Sequence, residues 1–191
     1  MYGIIAEDKS DVEVLKVIVK RLANNQSISM KGKGYHGCGE MLRKGSSQLK
    51  VFLKLGCQRF IICYDADRSS PCHRYDEAVA KIITPFGHKD KYCVLVPIQE
   101  IEAWILADLQ AVTKIIPSWV PTKIYNHPES VNDPKEALEK LSRNTKKRPR
   151  YSHATHHVKI AEHLNLSRVK AKCKSFLPLE NLVLKGEGNI K

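Results

Sequence analysis

FIICYDADRSS, residues 60–70, is the stretch on which the fold turns. Phe60–Cys63 is an apolar run without alternation, the pattern of a strand buried on both faces. It stops abruptly at Tyr64, followed by two carboxylates one residue apart, Asp65 and Asp67, and then Arg68. A buried strand that opens onto paired acids is what a parallel α/β sheet offers at the carboxyl ends of its strands, where ligands bind.

Outward from that stretch, strands and helices alternate. Tyr2–Ala6 reads as a short apolar strand. Ser10–Leu22 repeats Val12, Leu15, Val19 and Leu22 at helical spacing, with Ser10 as a candidate cap. Ser27–Met30 reads as a weaker strand and KGKGYHGCG (31–39) as a glycine-rich loop. That loop lacks the G-K-[ST] of a P-loop, though its glycines and lysines could close over a phosphate. Met41–Leu55 reads as a helix, Tyr75–Ile83 as a helix stopped by Pro85, and Tyr92–Val96 as a strand. IQEIEAWILADL (98–109) is helical, with Trp104 as a core residue. These alternations predict an α/β fold, a mainly parallel sheet with helices on both faces.

Beyond residue 112 the character changes. Pro117, Pro121, Pro128 and Pro134 break the chain, and helices are expected near Pro134–Arg143, Ala154–His163 and Ser167–Lys172. The reading divides the chain into an α/β domain, 1–112, and a smaller helical basic subdomain, 113–191.

Charge follows the same division. The chain has 32 Lys and Arg against 20 Asp and Glu, a formal net charge of +12. Between Lys140 and Lys174 eleven basic residues face one acid, Glu162, whereas residues 1–112 hold 13 of the 20 acids. A concentrated basic region favours a polyanion, DNA or RNA, through phosphate contacts. The candidate contacts are Lys146, Lys147, Arg148, Arg150, Lys159, Arg168, Lys170 and Lys172. No apolar run is long enough to span a membrane, so no membrane partner is expected. The N-terminus, MYGIIAED, has no signal-peptide pattern, and the six cysteines include no C-x-x-C pair. They read as reduced thiols of a cytoplasmic protein.

Three strand ends carry acids: Glu7, Asp8 and Asp11 after the first, Asp65 and Asp67 after the third, and Glu100 and Glu102 after the last. Clustered carboxylates repel, and burial makes the cluster costlier. A hard divalent cation such as Mg²⁺ resolves the conflict, because it takes one or two carboxylates together with water and phosphate oxygens. The plainer account is that each Asp caps a helix or makes an Asx turn. HATHH (153–157) puts His153 and His157 on one helical face, but with no acid or cysteine close in sequence it reads as a phosphate contact, not a metal site. Asp108, near a helix end, reads as solvated.

A glutamate after strand one, an acid four residues on, and a later D-x-D together resemble the Toprim domain of topoisomerases, primases and overcoming-lysogenisation-defect nucleases. EAWILAD (102–108) and KCKSFLPLENLV (172–183) narrow the resemblance to the stand-alone Toprim-like nucleases of bacterial defence loci. The likeness covers nearly the whole chain and is weakest over 113–150. It departs where those proteins carry Gly after the first Glu and this chain has Asp8. The resemblance implies a catalytic set of Glu7, Asp11, Asp65, Asp67 and Glu102, with Glu7, Asp65, Asp67 and Glu102 holding Mg²⁺ or Mn²⁺. It implies cleavage of phosphodiester bonds in DNA or RNA, tRNA included, as an anti-phage effector beside an ABC-type or overcoming-lysogenisation-defect-type ATPase. Two other classes stay open. One is a dehalogenase-type phosphohydrolase with Asp65 as nucleophile, which calls for D-x-D on the first core strand. The other is a non-catalytic nucleic-acid- or partner-binding subunit.

Overall fold

The computed structural model describes residues 1–87, 91–143 and 149–187. Four strands, β1 (Tyr2–Ala6), β2 (Met30–Gly34), β3 (Arg59–Cys63) and β4 (Tyr92–Leu95), form one all-parallel sheet in the order β2-β1-β3-β4. The expected α/β fold with helices on both faces is what the chain adopts. Side chains alternate between the two faces, as the pleat requires. Tyr2, Ile4, Ala6, Ile61, Cys63, Cys93 and Leu95 enter one apolar cluster, and Ile5, Phe60, Ile62 and Val94 enter the other.

The second cluster is closed by α2 (Cys38–Lys54) and by a continuous run of α3 (Pro71–Ala78), a π-helical turn (Val79–Ile83) and α4 (Thr84–Phe86). Pro85 does not stop this run. The run passes it by one residue and closes at Gly87, whose φ of 76° ends the helix, and the π-helical turn lies directly before the proline. The first cluster is covered by α1 (Lys9–Leu22) and by the helices of the second half: α5 (Glu102–Ala107), α6 (Gln110–Ile115), α7 (Pro134–Arg143), α8 (His153–Ala161), α9 (Leu166–Lys172) and α10 (Leu177–Leu184). Composition shifts near residue 113, but this apolar cluster runs on from Val112 through Ile116, Trp119 and Leu138 to Val183. Trp104 of α5 packs edge-on against Phe176, ring centroids 5.1 Å apart, and its Nε1 donates to Ser175 Oγ at 3.0 Å. EAWILAD and KCKSFLPLENLV therefore meet in space.

Two sequence readings change. The weak strand expected at Ser27–Met30 begins only at Met30 and runs through KGKG, which had read as loop. The edge strand is built from Gly and Lys because α1 lies on it. A Cβ on Gly32 would come within 2.4 Å of Val12 Cγ1, and one on Gly34 within 2.4 Å of the backbone of Asp8 and Lys9. Such a strand carries no apolar signal to read. Likewise Ser10 is not the cap of α1. Asp8 is, its Oδ1 accepting from Asp11 N at 3.0 Å. Asp8 has extended backbone (φ −136°), so the position that is Gly in the resembling proteins needs no left-handed residue here.

No helix of the described residues is long and apolar enough to cross a membrane.

Candidate metal centre

In the order β2-β1-β3-β4 the chain reverses its direction of propagation between β1 and β3, the place where open α/β sheets bind ligands. Glu7 and Asp65 flank that point. The strand pairing continues past the strand ends and fixes both backbones: Tyr64 N donates to Leu95 O at 2.9 Å, and Ala66 N to Pro97 O at 2.8 Å. On the other side Tyr35 N donates to Ala6 O and Gly37 N to Glu7 O, Gly37 taking the positive φ (96°) that favours glycine. Across the gap Asp65 N donates to Glu7 Oε1 at 3.1 Å. The Asp65 carboxylate has no such partner, and its Oδ1 is buried without a hydrogen bond.

The electrostatics report one cluster. Burial pushes Asp65 well above the usual carboxylate range, and the charges of Asp11, Glu7, Glu102 and Glu100 add to the rise. Asp11, itself buried, is pushed up to about 8 by burial and by Asp8 and Glu102. Burial also raises Glu7, against the opposing Asp65 N–H and Arg74, and with Asp67 contributing to the rise. Asp67 is exposed, and it and Arg68 are consecutive non-glycine residues in left-handed backbone, φ 44° and 65°. Such conformations cost about 1 kcal/mol or more each and concentrate at functional loops. All five acids singled out in the sequence, Glu7, Asp11, Asp65, Asp67 and Glu102, thus stand at one sheet edge. Their mutual repulsion and the unpartnered Asp65 oxygen favour a cation at this edge, although among the described residues no three of Glu7, Asp11, Asp65 and Asp67 bring ligand atoms within 4.8 Å of one another.

Glu102 brings residues that the sequence did not connect. It lies 3% exposed in the first turn of α5, and its Oε1 stands 2.6 Å from His153 Nδ1 and 3.8 Å from His157 Nδ1. One ligand atom from each of Glu102, His153 and His157 falls within 4.8 Å of the others, a group that could hold a metal ion. This corrects the reading of HATHH as lacking an acid: the acid arrives from 51 residues away in sequence. His153 Nε2 contacts Ser10 Oγ at 2.8 Å and stands 3.7 Å from Asp8 Oδ2. Held by Asp8 and Glu102 against the effect of its burial, His153 is raised to about 9. Burial lowers His157 to about 4, and neither of its ring nitrogens has a partner. Glu102 sits below its usual range because His153 and His157 outweigh its desolvation. Tyr151, just before α8, also buries an unpartnered hydroxyl, raised by burial and by Glu102 and Glu100.

Arg74 is a further residue that sequence reading passed over. Its Nε donates to Ala66 O at 3.3 Å and its Nη1 to the Tyr64 hydroxyl, so it braces the loop carrying Asp65 and sets a cation beside Glu7.

The basic residues divide. Arg150 and Lys159 are exposed. Arg168 pairs with Asp108 at 2.9 Å, Lys170 with Glu180 at 2.8 Å, and Lys172 Nζ donates to Tyr125 O at 2.8 Å. Asp108 is therefore buried, not solvated: its second oxygen accepts Asn165 N at 2.8 Å and ties α9 to the end of α5. Lys146, Lys147 and Arg148 lie outside the described residues.

No curated protein and no solved structure matches the chain significantly. The sequence model of the domain of unknown function DUF4276 matches residues 6–183, from the end of β1 to the last turn of α10. That span takes in Glu7, the D-x-D loop, EAWILAD and the His153–His157 face, so the chain belongs to the DUF4276 family.

Proposed function

We propose that the chain is a metal-dependent nuclease that hydrolyses phosphodiester bonds in DNA or RNA. The observation that carries the reading is Asp65, held across the β1/β3 switch from Glu7 with a buried oxygen that has no hydrogen-bond partner. The resemblance to stand-alone Toprim-like nucleases of defence loci supports it independently through EAWILAD and the acid spacing. A bound Mg²⁺ or Mn²⁺ supplies the charge that orients a phosphate and lowers the pKa of an attacking water.

The protein's own groups divide the remaining work. Glu7, Asp65 and Asp67 would hold the cation. A carboxylate of the same cluster, Glu7 or Asp11, takes the proton of the water as the new P–O bond forms. The ester P–O bond breaks, and the departing oxygen takes up a proton to leave as a hydroxyl. Arg74 places fixed positive charge beside the reacting phosphate. Arg150 and Lys159, exposed on the helical half, track the polyanion outside the site. The dehalogenase reading is less well served, because D-x-D follows β3 rather than the first strand. The resemblance extends the proposal to a cytoplasmic anti-phage effector working beside an ABC-type or overcoming-lysogenisation-defect-type ATPase.

The test is incubation of the purified protein with plasmid, single-stranded DNA and tRNA in Mg²⁺ or Mn²⁺. Cleavage of at least one substrate is expected, abolished by chelator and by Asp65→Asn. Cleavage that survives in the variant would remove Asp65 from the site. Cleavage of none, with retained nucleic-acid binding, would favour the binding subunit.

A further inference from the structure

We propose that Glu102, His153 and His157 form a metal site for one borderline transition ion of the Zn²⁺ class, distinct from the all-oxygen Mg²⁺ site proposed above. The inference does not rest on the nuclease reading, since it concerns metal uptake alone.

The donor set selects the ion. Mg²⁺ takes oxygen ligands and keeps its waters, whereas imidazole suits Zn²⁺ and its neighbours in the first transition row. Two imidazoles and one carboxylate are a common catalytic zinc set, three protein ligands with one position left open. Ligand atoms about 2.0–2.1 Å from a tetrahedral ion lie about 3.4 Å from one another. The observed separations from Glu102 Oε1, 2.6 Å to His153 Nδ1 and 3.8 Å to His157 Nδ1, bracket that value. Opening the shorter separation by about 0.8 Å and closing the longer by about 0.4 Å admits the ion.

His157 supplies the observation that points to a ligand. It is 1% exposed, on the α8 face turned toward Glu102, and both ring nitrogens lack any hydrogen-bond partner. A buried imidazole normally satisfies at least one nitrogen, and leaving both unmet is costly. His156, its neighbour in sequence, shows the contrast: its Nδ1 accepts Ser152 N at 2.9 Å and so serves the start of the helix. A purely structural account covers His156 but leaves His157 without a purpose.

The outer contacts of His153 fit as well. Metal-bound histidines usually engage a second group through the other ring nitrogen, which fixes ring orientation. His153 Nε2 has Ser10 Oγ at 2.8 Å and Asp8 Oδ2 at 3.7 Å, leaving Nδ1 turned to Glu102 and the ion. Asp8 follows Glu7 directly as the cap of α1, and Ser10 lies in the first turn of that helix. The second site is thereby joined to the first by three residues of backbone.

The experiment titrates chelator-stripped protein with Co²⁺, whose visible absorption reports tetrahedral nitrogen and oxygen ligation, then displaces it with Zn²⁺ or Mg²⁺. One equivalent of Co²⁺ is expected to bind, to yield to Zn²⁺, and to resist excess Mg²⁺. Asp65→Asn should keep that binding, while His157→Gln should weaken it by at least the roughly 10–100-fold that loss of a mere outer-shell partner costs. Circular dichroism and thermal melts establish that His157→Gln is folded; should it fail, His153→Gln, at a less deeply buried position, decides by the same measurement. Co²⁺ uptake unchanged in the histidine variant, lost only in Asp65→Asn, or reversed by Mg²⁺ would overturn the site. A negative nuclease assay alongside intact, histidine-dependent Co²⁺ binding would count against the proposed function and not against this site.

Discussion

Asp65 concentrates the site's energetic conflict in one side chain. Its backbone is held from three directions, by Glu7 and by the extended pairing of Tyr64 and Ala66 with the strand beyond. The backbone under the carboxylate is therefore fixed, with Oδ1 turned inward and unpartnered. Ionising a carboxylate with a buried, unpartnered oxygen is costly, which is why burial raises it, and a bound cation removes that cost. Asp65→Asn, which abolishes metal-dependent cleavage in the proposal, should accordingly stabilise the metal-free fold at pH 8. A gain of roughly 1 kcal/mol would raise the melting temperature by about 2–4 °C in a chain of this size. Added Mg²⁺ should then raise the melting temperature of the wild type and leave that of Asp65→Asn unmoved. Differential scanning fluorimetry with and without Mg²⁺ checks both; a variant less stable than the metal-free wild type would mean that Asp65 is a structural acid.

At the scale of elements, what could be read in the sequence depended on how local its cause was. β3 and β4 are apolar runs because both their faces are covered, and such runs announce themselves. The helices of the second half have periodic apolar residues, and Pro134–Arg143 lies where the pattern placed it. β2 was hidden because its composition answers to the close packing of α1, the crossover helix before it, which only the folded unit brings against the strand. The acid edge was legible because each acid follows its own strand within a few residues. The Glu102–His153–His157 group was not, because its parts meet only after α5, α1 and α8 pack together. The glycine of the edge strand makes this dependence testable. Gly34→Ala would drive a Cβ into the backbone at Asp8 and Lys9, which no rotamer change can relieve. Overpacking of this kind costs about 1–3 kcal/mol. Because the pushed segment is the β1–α1 turn, the variant should also lose affinity for both metals. Gly39→Ala is the control: nothing lies within 4 Å of its Cβ, and in the first turn of α2 alanine should be neutral or stabilising by up to about 1 kcal/mol. Urea denaturation of the pair, followed by metal titration, separates a displaced turn from general loss of stability.

For the whole molecule, the decisive property is an acidic sheet edge packed against a basic helical half, and its consequence is a pH dependence of unusual sign. Most proteins lose stability on acidification because their carboxylates are held low. Here the groups at the edge are held high. His153 ordinarily titrates near 6.5 and is raised to about 9 by Asp8 and Glu102, so its contribution is complete below about pH 6.5 and lost as pH rises to about 9. Asp11 is moved from 3.8 to about 8 by burial and by the charges of Asp8 and Glu102. Over that interval the folded chain keeps a proton the unfolded chain has released, so stability again falls with rising pH. Asp65, raised by burial and its acidic neighbours, acts in the same direction. His157 opposes them, lowered by burial from 6.5 to about 4, but its influence ends where the unfolded imidazole titrates, near pH 6.5. Asp8 and Glu102 are lowered, so what they add is lost only in acid. Between pH 6.5 and 9 the raised groups therefore act without opposition from this cluster, and metal-free protein should become steadily less stable to urea. Saturating metal replaces the protons with an ion whose binding strengthens as ligands deprotonate, so the same series with Mg²⁺ and Zn²⁺ present should flatten or reverse. A metal-free profile that rises across this window would mean that the edge acids are solvated singly, and the case for a shared cation there would fail with it.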